Sequence, residues 1–240
     1  MNAAAPQFSI IIPAYNEAEH LPRTLTHLLR ALSELPQPGE VIVVNNNSTD
    51  ATGEIAAACG ARVVCEPINQ ISRARNAGAA VARGRYLIFT DADTCPPVVT
   101  LAAALAALAS GDVIGGGALV RFETRPHWSV IPLMNFWNAF APRLKWAAGC
   151  FVFCRADAFA EIGGFSLRVY ASEELWFSKA LRELGARRRQ RFLVIRRPRV
   201  VTSARKLDQP SRMWRHLLLL IFAPWLVRSR EHCPWWYKRP

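Results

Sequence analysis

The chain has 240 residues, 51% of them hydrophobic and 20% charged, a composition that suits an ordered globular unit with ample core material and excludes a disordered chain. Its net charge of +12 is unevenly placed: residues 1–120 carry 7 Lys/Arg against 10 Asp/Glu (net −3), and residues 121–240 carry 23 against 8 (net +15). A basic half of this kind faces nucleic acid, phospholipid or a diphosphate group.

In chain order, Phe8–Pro13 is predicted as a first strand. Glu17–Leu35 follows as a helix, with Leu21, Leu25, Leu28, Leu29 and Leu32 on one face. Glu40–Asn45 reads as a strand, Asp50–Cys59 as a helix, Arg62–Cys65 as a short strand and Ser72–Arg83 as a helix. The apolar run Tyr86–Phe89 is a further strand, followed by an Ala/Leu helix over Val98–Ala109 and a strand over Val113–Phe122. This alternation predicts an α/β fold: a mostly parallel central sheet with helices on both faces and ligands outside the carboxyl ends of the strands.

The second half is less regular. Residues 127–146 are aromatic-rich (Trp128, Phe136, Trp137, Phe140, Trp146) but interrupted by Pro132 and Pro142, and no helix is assigned there. Cys150–Cys154 reads as a strand, Ala156–Ile162 as a helix, Gly163-Gly164-Phe165 as a turn, and Glu173–Leu184 as a helix stopped by Gly185. No linker separates the halves, so residues 1–205 are expected to form one unit. A basic, Trp/Leu-rich tail spans 206–240.

Motif-bearing segments fall at the strand ends: Pro13-Ala14-Tyr15-Asn16-Glu17, Asn45 to Asp50, and Asp91-Ala92-Asp93. On an extended segment the two aspartates point the same way, and such like charges need a cation between or beside them. Hard divalent ions with oxygen ligands, Mg²⁺ or Mn²⁺, meet that need and often carry a substrate's phosphates. The first glycine is Gly39, which excludes the Gly-rich phosphate loop of a dinucleotide-binding dehydrogenase or a sugar-1-phosphate nucleotidyltransferase after the first strand.

No nucleic-acid-binding signature is present, so nucleic acid is not expected as a partner. The tail run from His216 to Val227 is too short to span a bilayer, which needs about 20 apolar residues. With Arg212, Arg215, Arg228, Arg230, Trp214, Trp225, Trp235 and Trp236 around it, it suits either a segment lying in a membrane interface or a helix packed on the domain. The N-terminus shows no leader pattern, and the six cysteines form no metal-like pair and read as thiols in a reducing compartment. The expected location is cytoplasmic, with peripheral contact at the inner face of the cell membrane.

As a set, the stretches Phe8–Glu17, Val43–Asp50, Ala74–Gly78, Phe89–Asp93, Ile162–Phe165 and Glu173-Glu174 resemble glycosyltransferase family 2. These are inverting nucleotide-sugar enzymes with the GT-A (Rossmann-like) fold, and the resemblance covers residues 8 to about 185. It implies that Pro13, Ala14, Tyr15 and Glu17 embrace base and ribose, with Asn45 at a position commonly held by aspartate. Arg75 and Asn76 would steer the base or diphosphate. Asp91-Ala92-Asp93 would meet the donor, Asp91 at the ribose or the metal's water shell and Asp93 as ligand to Mn²⁺ or Mg²⁺. Glu174 is the implied base, with Glu173 its rival because the family more often has Glu-Asp there. Arg205 or Lys206 would touch the diphosphate.

The implied partners are a nucleotide-sugar donor and an acceptor left open, a lipid-linked or envelope glycan precursor being one reading. The other class of reading is a catalytically silent GT-A-like module docking on anionic membrane. Three departures leave questions: Asn45 leaves uridine, guanosine or thymidine open; no histidine stands where a third metal ligand is common; and Gln209 to Trp214 places its Trp one residue late for a processive synthase.

Overall fold

A computed structural model describes residues 5–125, 127–205, 214, 224–233 and 237. Its strands are β1 (Phe8–Ala14), β2 (Gly39–Asn45), β3 (Arg62–Cys65), β4 (Tyr86–Thr90), β5 (Thr94–Cys95), β6 (Val113–Phe122), β7 (Phe151–Arg155) and β8 (Arg191–Thr202). The helices are α1 (Leu21–Glu34), α2 (Thr52–Ala58), α3 (Ile71–Val81), α4 (Val98–Ala109), α5 (Ile131–Leu144), α6 (Ala156–Glu161) and α7 (Glu173–Arg188).

The eight strands make one sheet in the order β3-β2-β1-β4-β7-β6-β8-β5. Strands β3, β2, β1 and β4 run parallel; β7 is antiparallel to both β4 and β6; β8 is parallel to β6 and antiparallel to β5. Strands β1, β2 and β4 are continuous apolar runs because helices cover both faces. On one face Ile10, Ile12 and Val43 pack with Leu21, Leu25 and Leu28 of α1 and Leu101 and Leu105 of α4; on the other, Ile11, Val44 and Phe89 pack with α3, α6 and α7. The α1 leucines at 21, 25 and 28 are fully buried, each contributing about 1.5–3 kcal/mol of transfer free energy.

Three expectations are corrected. Residues 131–144 form helix α5 despite their prolines: Pro132 sits in the first turn, where no N–H is needed, while Pro142 lies inside the helix near its end and costs it one intrahelical N–H donor. Gly185 does not stop α7, which runs on to Arg188 before Arg189 turns the chain at φ 57°. The glycine is there for space: a β-carbon would lie 2.6 Å from the Gln190 carbonyl oxygen and 3.1 Å from Ile114. Third, the Asp91–Asp93 segment is a turn closed by the Thr94 N–H on the Asp91 carbonyl, 3.1 Å, not an extended strand, and the two carboxylates meet different arginines, Asp91 meeting Arg75 and Asp93 meeting Arg205.

No helix among the described residues is long and apolar enough to cross a membrane. Of the tail, residues 206–213, 215–223, 234–236 and 238–240 lie outside the described residues, and with them most of the expected interface segment and Lys206. Val227, Cys233 and Tyr237 pack with Val169 and Ala171, just ahead of α7. All six cysteines are free thiols.

Candidate active site

The loops after β1 and β2 are stitched together. Asn16, at φ 51°, accepts from the Thr49 N–H (2.9 Å) and donates its own N–H to Ser48 Oγ (3.1 Å). The Glu17 N–H reaches Thr52 Oγ1 (2.8 Å), and the Ala18 N–H reaches Asp50 (3.1 Å). Asn45 Oδ1 accepts from the Ser48 N–H at 3.0 Å, so its side chain shapes the loop. Ala14 is buried, and Pro13 and Tyr15 are half-buried beside it. Asn46, one residue past the expected ligand, is the loop's fastener: it donates to the Glu66 and Ile68 carbonyls and accepts from the Gln70 N–H.

Beneath this wall lies Arg75, 1% exposed. Its guanidinium donates to Glu173 Oε1 (2.6 Å), Asp91 Oδ1 (3.3 Å) and the Gly149 carbonyl (2.7 Å), and stacks on Phe165 at 5.0 Å. Burial alone would lower its pKa, but Glu173, then Asp91 and Glu174, outweigh that and hold it above its ordinary value. Phe89 and Phe177 pack around Phe165, so the charged hub rests on an aromatic floor. Asn76 spends both ends of its amide on the backbone of Phe165, 2.9 Å each. It therefore pins the turn of Gly163 and Gly164, which sit at φ 76° and 73°, instead of reaching into the cleft.

The two glutamates at the start of α7 differ sharply. Glu173 is 4% exposed and held by Arg75. Glu174 is half-buried and turns towards Gly149, where a β-carbon would stand 3.4 Å from its carboxyl carbon. Burial, then the Glu173 charge, push the Glu174 carboxyl from its ordinary 4.5 up to about 8, against the pull of Arg75. Gln70 steadies the chain leading into α7 by donating to the Leu167 and Val169 carbonyls.

At the opposite rim, β5 and β8 meet through the Thr94 and Thr202 hydroxyls (2.8 Å). Just beyond, Arg205 donates to Asp93 Oδ2 (2.9 Å) and Glu17 Oε1 (2.5 Å). Burial works against the Arg205 charge, but Asp93 and Glu17 more than compensate and raise its pKa. Arg205 was expected at a diphosphate; here its partners are two carboxylates. The fold thus gathers Arg75, Asp91, Glu173 and Glu174 in one cluster and Glu17, Asp93 and Arg205 in a second, joined by the Asp91–Asp93 turn with Ala92 buried between the aspartates. Asn46, Gln70 and Gly149 escaped the sequence reading; only Asn46, inside the Asn45–Asn47 run, carried a signal that could have found it.

Comparisons with known proteins bear on the family and the fold. The family model described as "Glycosyl transferase family 2" matches residues 9–174. Glycosyltransferase AglE of Haloferax volcanii is 28% identical over 206 residues, 77% of this chain and 64% of that protein. The dolichyl-phosphate beta-glucosyltransferase of Drosophila melanogaster is 38% identical over 101 residues, 36% of this chain and 31% of that one. The chain therefore spans about a third to two thirds of the length of these curated relatives. Among solved structures, mannosyltransferase PcManGT from Pyrobaculum calidifontis, in complex with GDP-Man and Mn²⁺, superposes with a TM-score of 0.67 at 20% identity, covering 98% of this chain and 71% of that one. The shared fold is GT-A.

Proposed function

This chain belongs to glycosyl transferase family 2, and on that premise we propose that it is an inverting enzyme moving a sugar from a nucleoside-diphosphate sugar to an acceptor hydroxyl. The observation that carries the reading is the division of labour at α7. Arg75 fixes Glu173 with a 2.6 Å bond, whereas Glu174 projects over Gly149. Inversion needs a base on the sugar face away from the leaving group, and Glu174 takes the acceptor proton as its oxygen attacks C1. Pro13, Ala14, Tyr15, Glu17 and Asn45 wall the nucleotide. Arg75 acts behind them as a positioning residue, with Asn76 supporting the Phe165 turn.

The donor set at the cleft fits a hard divalent ion. Asp91 and Asp93 offer oxygen only, and Arg205 already places a cationic group on Asp93. Among the described residues no group of three or more potential ligands is assembled; Mg²⁺ and Mn²⁺ commonly take one or two carboxylates, substrate phosphates and water. Asp93 is the principal ligand, with Asp91 second. Such an ion, when bound, neutralises charge on the departing diphosphate. PcManGT, with GDP-Man and Mn²⁺ in its structure, supports the same pairing here.

A lipid-linked acceptor is supported by the relative named for dolichyl phosphate. Exposed Trp128, Phe136, Phe140 and Leu144, within a half of net charge +15, support peripheral contact with an anionic membrane at its cytoplasmic face. A thermal-shift screen of UDP, GDP, dTDP and their sugars, with and without Mn²⁺ or Mg²⁺, tests the reading. One nucleotide and metal together should raise the melting temperature, and Asp93→Ala should abolish the rise. No response to any combination would refute it.

A further inference from the structure

Arg205 occupies the carboxylate that the proposed cation needs. Its guanidinium spans Asp93 Oδ2 at 2.9 Å and Glu17 Oε1 at 2.5 Å. Both carboxylates are 4% exposed, while the arginine is 27% exposed. It follows the last residue of β8 by three positions, and the segment is tied down by the Ser203 N–H on the Asp93 carbonyl (3.2 Å). Arg75, by contrast, is 1% exposed and committed to three acceptors. Arg75 cannot leave without opening a void and stranding Glu173. Arg205, the more exposed of the two, is the one placed to exchange partners.

A divalent ion and a guanidinium cannot both sit against Asp93, because like charges a few ångströms apart repel by several kcal/mol outside bulk water, about 4 kcal/mol per unit pair at 4 Å and an effective dielectric constant of 20. A planar guanidinium exchanges well between a carboxylate and a phosphate, both of which match its fork of donors. A nucleoside diphosphate brings the oxygens that make such an exchange possible; a bare ion does not.

We infer that Arg205 is an exchangeable countercation that closes Asp93 to a bare divalent ion and releases it only when a nucleoside diphosphate arrives with the ion and takes the guanidinium in return. The inference rests on the metal-assisted reading above and goes beyond it by setting an order: metal and nucleotide enter together. The same contacts keep the β1 loop, the Asp91–Asp93 turn and the end of β8 joined before the donor binds.

Equilibrium dialysis of Mn²⁺ alone against the full chain reads this without any turnover. If the pair is closed about nine-tenths of the time, apparent Mn²⁺ affinity falls about tenfold below the intrinsic value. Arg205→Gln should therefore bind bare Mn²⁺ about tenfold more tightly than the wild type. In calorimetry with saturating Mn²⁺, the same variant should bind UDP or GDP more weakly. Arg205→Lys, with charge but no fork, should fall between. An Arg205→Gln protein that is folded by circular dichroism yet binds bare Mn²⁺ no better than the wild type overturns the inference.

Should that variant not fold, Glu17→Gln loosens the same bridge and should gain Mn²⁺ affinity a few-fold; no gain overturns the inference equally. If neither wild type nor variant takes Mn²⁺ even with UDP or GDP present, the metal-assisted reading itself falls, and this inference with it. That pattern is distinct from equal Mn²⁺ binding by both proteins.

Discussion

Two arginines hold the acidic residues of the cleft, one at its floor and one at its rim. Arg75 is sealed on an aromatic floor, with Glu173, Asp91 and the Gly149 carbonyl as fixed partners. Arg205 lies at the end of β8, partly open to solvent, with Asp93 and Glu17. The comparison teaches that equal charge arithmetic can serve opposite ends. At the floor, burial makes the ion pairs a rigid template that aims α7. At the rim, partial exposure leaves a pair whose cation can be exchanged.

The comparison would break first at Arg75. Arg75→Met strands the buried Glu173 carboxylate, and removing one partner from such a pair costs about 3–5 kcal/mol, to be read by urea unfolding; a loss under 1 kcal/mol would dissolve the distinction between floor and rim. The floor also sets pH dependence. A base raised to about 8 is increasingly protonated below that pH, so transfer at pH 6 should run about a hundredfold below its alkaline plateau. Folding stability follows the opposite sign. Because the folded pKa exceeds the ordinary 4.5, the native state holds a proton that the unfolded chain releases, and this contribution is lost as pH rises from about 4.5 to about 8. Glu174→Gln should flatten that decline in chemical unfolding followed across pH.

A smaller effect sharpens the geometry. Gly149→Val would push methyl groups into the space of the Glu174 carboxyl and should lower kcat about tenfold while leaving donor KM unchanged, since small misplacements of reacting groups are costly. The rim should respond least. Arg205→Gln is expected to cost less than Arg75→Met, because its side chain is 27% exposed, and a loss as large as that of Arg75→Met would make Arg205 a second structural fixture.

Much of the frame was legible because local patterns and burial agree. The bounds of β3, α4 and β6 match the predicted runs; β6 is buried along most of its length and leaves an unbroken apolar segment. The strand-end motifs likewise fall at one sheet edge by topology alone. What stayed hidden depends on partners far apart in the chain. Arg75 meets Glu173 across 98 positions, and Arg205 meets Asp93 across 112. Asn76 sits in a ligand-like motif, but its amide is bonded to the Phe165 backbone 89 positions away. Gly185 imitated a helix stop because close packing and chain reversal call for the same residue. Pro132 and Pro142 masked α5 because the apolar pattern does not show that Pro132 falls in a first turn, where proline is tolerated, or that the helix continues past Pro142.

The division between Glu173 and Glu174 is tested most directly by single-turnover transfer from the nucleotide sugar that stabilises the wild type, compared in Glu174→Gln and Glu173→Gln. Glu174→Gln should lose about a hundredfold to ten-thousandfold in rate while keeping its donor affinity and a melting temperature no lower than that of the wild type, and Glu173→Gln should melt at a lower temperature as Arg75 is left unbalanced. A Glu174→Gln enzyme that transfers sugar at the wild-type rate would contradict the account.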